Sequence, residues 1–157
     1  MSFHPRLLCL FLTASLTLAD LTAAHAQAFS YGHPGTPFQV SRTIKITAND
    51  AMRFIPDTLV IQSGQTIRFI VTNKGQVDHE FVLGDKKEQL EHEQEMQQMR
   101  TMAMTSEPNG INLKPGQSKT LIWTFDKPGP VEFACHEPGH FAAGMTGNII
   151  VKNKTPI

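Results

Sequence analysis

Apolar and polar residues alternate with a period of two along four stretches of the chain. The apolar members are Ile44 and Ile46, then Ile67, Phe69 and Val71, then Leu121, Trp123 and Phe125, and finally Val131, Phe133 and Cys135. Successive side chains of a β-strand point to opposite faces of a sheet, so this alternation is typical of strands that bury one face. Turn residues such as Lys114-Pro115-Gly116 separate the stretches. We therefore predict an all-β fold, an antiparallel Greek-key β-sandwich that begins near Val40 and ends with a strand over 148–152.

Three side chains with sulfur or nitrogen donors follow one another at equal intervals near the end of this pattern. They are Cys135, His140 and Met145. Cys135 ends a predicted strand, and the intervening Glu137-Pro138-Gly139 turn reverses the chain so that His140 can face the same point. Thiolate, imidazole and thioether are the soft and borderline donors that copper prefers. A trigonal site of two imidazoles and one thiolate, with a weak axial thioether, needs one more histidine, for which His79 on a separate predicted strand is the best source.

Two other interpretations of these residues stay open at this point. A site of this composition also accepts Zn²⁺ in four-coordinate geometry. A cysteine beside a histidine can also act as a nucleophile with its base, but a thioether at fixed spacing has no part in that chemistry. Taken alone, Cys135 and Met145 are more commonly packing residues, and His79 is more commonly a surface residue or a hydrogen-bonded core residue. The ordered set favours copper.

With these residues in this order, the chain resembles the cupredoxins, the type 1 copper proteins of the plastocyanin, azurin and rusticyanin group. The resemblance covers about 40–152, and the Cys-x4-His-x4-Met spacing is similar to that of rusticyanin and the plantacyanins. It implies one type 1 copper ion bound by His79, Cys135, His140 and Met145. The chain departs from azurins and plastocyanins at Glu80, where they have an Asn that ties the two ligand loops together. We therefore expect the stiffness and the potential of the site to differ from theirs.

The stretch 86–104 interrupts the strand pattern. It contains no Gly or Pro and is dominated by Glu, Gln, Met, Leu and Lys, which predicts an inserted, Met-rich helix. On such a helix His92, Met96, Met99 and Met102 share one face. A stripe of methionines at helical spacing is commonly a packing surface, and together with Leu90 it could cover a sheet. However, thioethers together with an imidazole favour Cu⁺. These four residues are candidate ligands of a second, labile copper ion.

Two further histidines receive no ligand role. His136 is expected at the exposed rim of the site. A second catalytic copper would need further histidines, but Ala134 precedes Cys135 and the sequence has no His-x-His pair. His33 lies in a Gly/Pro-rich segment, where an isolated imidazole is expected to be solvated.

Residues 1–26 predict a cleaved secretory signal peptide. Arg6 precedes an apolar run from Leu7 to Ala19, and the segment closes with Ala24-His25-Ala26. The run is shorter than the ~20 residues that a bilayer-spanning helix needs, so we expect no membrane span in the mature chain. We expect a periplasmic protein with an irregular N-terminal arm over 27–39 and a cupredoxin domain over 40–157.

The charge balance argues against one class of partner. The 14 Lys and Arg residues equal the 14 Asp and Glu residues, which leaves no positive excess to neutralise phosphates, so we expect no nucleic-acid partner. We predict a monomeric electron carrier that meets a transient redox partner near His140. The alternative is a copper-tolerance protein that binds or oxidises periplasmic copper. In both cases we expect no enzyme, because four ligands leave no open coordination position.

Overall fold

The structure, a computed structural model, describes residues 29–98 and 107–155. The predicted signal peptide therefore lies outside the described residues, as does the last part of the predicted insertion. The strands of the described part of the chain are β1 (Gly32–Pro34), β2 (Val40–Asn49), β3 (Arg53–Ile55), β4 (Thr58–Gln62), β5 (Thr66–Asn73), β6 (His79–Gly84), β7 (Gly110–Leu113), β8 (Ser118–Phe125), β9 (Gly129–Ala134) and β10 (Thr146–Lys152). A 3-10 helix spans Pro37–Gln39, and the α-helix α1 spans Lys86–Gln98.

The strands form two five-stranded sheets. One sheet has the order β1-β8-β5-β2-β3, and the other has the order β4-β10-β9-β6-β7. The predicted β-sandwich is confirmed. However, β2 pairs with β5 in parallel, and β4 pairs with β10 in parallel, so neither sheet is purely antiparallel. Alternation of apolar residues reports which face of a strand is buried and carries no information on its direction.

The expected irregular arm contributes a strand. Within it, β1 pairs antiparallel with β8, with Gly32 opposite Phe125. Tyr31 anchors the segment, because its buried hydroxyl donates to the Leu83 carbonyl at 2.9 Å and its ring lies 5.5 Å from that of Trp123. A Cβ atom at position 32 would collide with the Thr124 carbonyl, so only glycine permits this close approach.

Aromatic rings fill the core next to the start of β6. The Phe81 ring centroid lies 5.1 Å from that of Phe133 and 5.5 Å from that of Phe69. Phe81 and His79 are two residues apart, so their side chains are on the same face of β6. Packing of Phe81 therefore fixes the position from which His79 projects.

Helix α1 confirms the predicted insertion over its described range. Asp85 caps its N-terminus, because Asp85 Oδ1 accepts from the backbone N–H groups of Lys87 and Glu88, while Glu88 Oε2 accepts from the Asp85 N–H. The helix lies against β6 and β9, but Leu90 is 47% exposed, and the buried residue of α1 is Gln89. The helix therefore packs on the sandwich through a polar side chain rather than an apolar stripe. Within residues 29–98 and 107–155, no helix has the length and apolar character that a bilayer crossing requires.

Candidate metal centre

The loop between β9 and β10 carries three of the four predicted ligands and is fixed by its own backbone. The Cys135 N–H donates to the Met145 carbonyl at 3.1 Å, and the Met145 N–H donates to the His140 carbonyl at 3.0 Å. His79 is the first residue of β6, which pairs with β9. Sheet pairing thus brings a residue that is distant in sequence to the same end of the sandwich.

The donor atoms of these residues converge. Cys135 Sγ lies 3.3 Å from His140 Nδ1 and 4.0 Å from His79 Nδ1. The donors of all three residues lie within 4.8 Å of one another, and two of the residues are buried. Met145 is fully buried in the core and is bonded through its backbone to both Cys135 and His140. The structure therefore brings the donor atoms of His79, Cys135 and His140 together, and Met145 is held next to them by its backbone bonds.

Burial sets the protonation of the metal-free site. It raises the pKa of the Cys135 thiol to about 12, although the backbone N–H groups of Glu80 and Glu137 oppose this increase. Burial, and next the charge of His79, lower the pKa of His140, so its imidazole is neutral at neutral pH. A bound cation deprotonates a coordinating thiol, and neutral imidazole is the form that binds metals.

A carboxylate that the sequence did not indicate lies behind His79. Asp50 Oδ1 is 3.4 Å from His79 Nε2, which is buried and makes no hydrogen bond within the described part of the chain. The N–H of Gln76 donates to Asp50 Oδ2 at 2.7 Å, and this bond is the main reason that the pKa of Asp50 is lowered. A Cβ atom at Gly75 would overlap the Asp50 carboxylate, so the glycine makes room for it. Carboxylates in this position orient a histidine ligand, here with Nδ1 towards the sulfur.

Glu80 connects the two ligand loops. Its N–H donates to Cys135 Sγ at 3.2 Å, and its side-chain Oε2 accepts from the His136 N–H at 3.4 Å. Glu80 therefore connects the same loops that an Asn ties together in azurins and plastocyanins, whereas its effect on the stiffness and potential of the site stays a prediction. The carboxylate of Glu80 makes a connection between the loops.

The expectation that His136 is an exposed rim residue is wrong. His136 is 1% exposed, with its Nε2 2.7 Å from Gln89 Oε1 and its Nδ1 2.9 Å from Glu93 Oε2. Its ring stacks on Phe141 at a centroid distance of 4.7 Å. Helix α1 covers this side of the site, and no sequence pattern indicates where the insertion packs. His33, by contrast, is exposed as expected and lies 3.5 Å from Asp126.

Two of the four candidate ligands of a second copper ion can be placed. His92 lies near Glu80 and Glu107, whereas Met96 lines a separate cavity of about 360 Å³ beside His136. Met99 and Met102 lie outside the described residues. The thioether site therefore stays a prediction.

The type 1 residues fit copper by their chemistry. The set offers one sulfur and two imidazole nitrogens in a buried setting, together with a buried methionine in the same loop, and the sulfur already accepts a backbone N–H. These are donors that suit both oxidation states of copper. A comparison with known families decides the relationship, because the family of copper binding proteins described as plastocyanin/azurin matches residues 40–152. The chain belongs to the plastocyanin/azurin family.

Within this family, the chain is similar to individual copper-resistant proteins. It is 40% identical over 160 residues to the "Copper-resistant cuproprotein CopI" of Rubrivivax gelatinosus, covering 95% of this chain and 96% of that protein. It is 35% identical to the protein of the same name from Pseudomonas aeruginosa, covering 85% of this chain and 88% of the relative. Reduced auracyanin from Roseiflexus castenholzii superposes with a TM-score of 0.63 at 24% identity, covering 72% and 98% of the two chains. The relationship to auracyanin shows the fold alone.

Proposed function

We propose that this cupredoxin is a copper-tolerance protein that binds periplasmic copper through His79, Cys135, His140 and Met145. The convergence of the Cys135 sulfur with two imidazole nitrogens in a buried setting carries the proposal. Copper tolerance is favoured over electron transport as the biological role because the copper-resistant relative matches nearly the full length of both chains. The export that this role requires agrees with the signal peptide predicted over 1–26.

The chemistry of the site follows from its surroundings. Copper bound there would supply one-electron chemistry between its +1 and +2 states. Asp50 behind His79 and the Glu80 N–H on the sulfur hold two ligands in place, while Phe81 and Phe133 keep the core side of the site apolar. Ligands that are fixed before the metal binds rearrange little when its charge changes. We expect the protein to be a binding protein and not an enzyme, because four protein ligands leave no open position on the ion.

Electron transport is the second candidate, and the exposure of His140 favours it. His140 is partly exposed, and its neighbours Pro138, Ala142 and Ala143 are exposed. A small apolar patch around a ligand is suited to weak, transient contact with a redox partner. On this account the protein is a monomer that exchanges electrons at the His140 edge and has no nucleic-acid partner.

Growth on copper distinguishes the two accounts. In cells that lack the gene, the wild-type chain should restore growth at inhibitory copper concentrations, whereas Cys135→Ser should not. Both strains should grow equally well without added copper. Ala142→Lys places a charge on the exposed patch and leaves the ligands intact. It should restore tolerance if binding of copper is sufficient, and should fail if a docking partner is required. Full tolerance with Cys135→Ser would contradict the proposed function.

Location is tested on the same strains. We expect the wild-type protein in the periplasmic fraction, with a mature N-terminus at Gln27, because the predicted cleavage follows Ala26. A mass that includes residues 1–26, or recovery in the cytoplasmic fraction, would contradict this part of the proposal.

A further inference from the structure

A second cavity lies between α1 and the sandwich and does not include the type 1 ligands. Its volume is about 110 Å³, and its polar wall includes His92, Glu95, Glu107 and Asn109. We refer to it as the helix cavity. Its donor groups are imidazole and carboxylate, not thioether, because Met96 lines a different cavity.

Three side chains of the helix cavity bring their donor atoms together. One donor atom from each of His92, Glu95 and Glu107 lies within 4.8 Å of the other two. His92 Nδ1 is 3.8 Å from Glu107 Oε1, which is too long for a hydrogen bond. Two ligands that each lie ~2 Å from one ion can be separated by this distance.

Unpaired polar atoms in and beside the cavity provide a second, independent observation. Asn109 is 4% exposed and lines the cavity, with its Nδ2 donating to the Leu83 carbonyl. Among the described residues, its buried Oδ1 has no hydrogen-bond partner, and neither does His92 Nε2, which lies 3.5 Å from Glu80 Oε2. A buried acceptor without a partner is unfavourable, and a cation close to Asn109 Oδ1 would remove that cost.

Negative charge is concentrated around the cavity. Its wall also contains Glu88 and Glu91, and among the described lining residues there is no Lys or Arg. Burial, followed by the charges of Asp85 and Glu91, raises the pKa of Glu88. Burial by itself lowers the pKa of His92, but the nearby carboxylates of Glu80 and Glu107 raise it overall. A divalent cation would neutralise part of this charge.

We propose that the helix cavity binds one divalent transition-metal cation through His92, Glu95 and Glu107, with Asn109 Oδ1 beside it. Imidazole together with carboxylates suits borderline divalent ions, and Cu²⁺ is bound most tightly among the first-row metals by such donors. The site differs from the Met-containing Cu⁺ site predicted from the sequence. It also uses none of the type 1 ligands, although Glu80 lies between the two sites.

The test is a titration of the purified chain that already contains one equivalent of Cu²⁺ in the type 1 site. A second equivalent of Cu²⁺ should give an EPR signal without thiolate-to-copper absorption. Glu95→Gln, at an exposed helix position, should weaken binding of this second ion by about tenfold or more, and Glu107→Gln should do the same. An unchanged visible band in each variant shows that the fold and the type 1 site are intact.

Two controls separate coordination from other effects. Glu91→Gln removes one charge from the same cavity wall, but Glu91 is not one of the three converging donors and pairs with Lys87 at 2.7 Å, so binding should change by less than about twofold. A variant with Met96, Met99 and Met102 changed to leucine should keep the second Cu²⁺. The proposal is overturned if no second equivalent binds at micromolar Cu²⁺. It is also overturned if Glu95→Gln and Glu107→Gln bind as tightly as wild type, or if only the methionine variant loses the ion.

Discussion

Replacing Gln89 with leucine should destabilise the protein and expose the role of α1. Gln89 is 1% exposed and makes three side-chain hydrogen bonds, to the carbonyls of Val82 and Glu132 and to His136 Nε2. Leucine keeps most of the volume and the helix propensity but makes none of these bonds. At about 1 kcal/mol for each bond, and with His136 Nε2 left buried, we expect a loss of about 3 kcal/mol in the free energy of unfolding.

Urea unfolding of the metal-free protein measures this loss. Trp123 is the single tryptophan and is fully buried, so its fluorescence reports the transition. Gln97→Leu is the matched control, because Gln97 lies on the same helix, is exposed and, among the described residues, bonds only to the Glu93 side chain. It should cost less than about 0.5 kcal/mol. A difference between the two variants below about 1 kcal/mol would refute the reasoning.

The same variant should affect the metal site. His136 follows Cys135 directly, so loss of the Gln89 bond removes one of the contacts that hold the residue next to the thiolate ligand. We expect faster loss of the visible band from Gln89→Leu than from Gln97→Leu when a strong copper chelator is added. Equal rates would show that α1 contributes to stability but not to retention of the metal.

Three further predictions concern the ligands and their support. Met145→Leu should keep a coloured site and raise the reduction potential, because an axial thioether is a weak ligand; loss of copper as complete as in Cys135→Ser would contradict this. Asp50→Asn should lower copper affinity by about tenfold. Asp57→Asn is an exposed control whose side chain contacts Thr58, and it should leave the affinity unchanged. Equal affinities of the two variants would contradict a role of Asp50 in orienting His79. Added imidazole should restore colour to His140→Ala more readily than to His79→Ala, since His79 is fully buried and His140 is partly exposed. Rescue of the His79 variant alone would contradict the assignment of His140 as the solvent-accessible ligand.

The sequence was sufficient to predict the type of fold and the residues that meet at the site. Alternation locates the strands because the period of a strand is local, and the spacing of Cys135, His140 and Met145 is set by one short loop. Contacts between distant segments were not predictable in this way. Asp50 sits in a turn with no motif around it, and nothing local to β2 and β5 indicates that they pair in parallel.

The surroundings of His136 illustrate the same limit. A histidine beside a ligand at the end of a strand has the sequence pattern of a rim residue. Its burial depends on Gln89 and Glu93, which approach from the inserted helix. Both are good helix formers whose polarity suggests a solvated face. Only the packing of α1 shows that one of them is in the interior.

The visible spectrum of the purified chain loaded with Cu²⁺ tests the central claim most directly. A Cys135 thiolate bound to Cu²⁺ should give an intense thiolate-to-copper absorption band at one copper per chain. Cys135→Ser should remove that band while Gln97→Leu keeps it. A colourless wild-type protein that takes up only Zn²⁺, or a Cys135→Ser variant with the wild-type spectrum, would contradict a copper site at these residues.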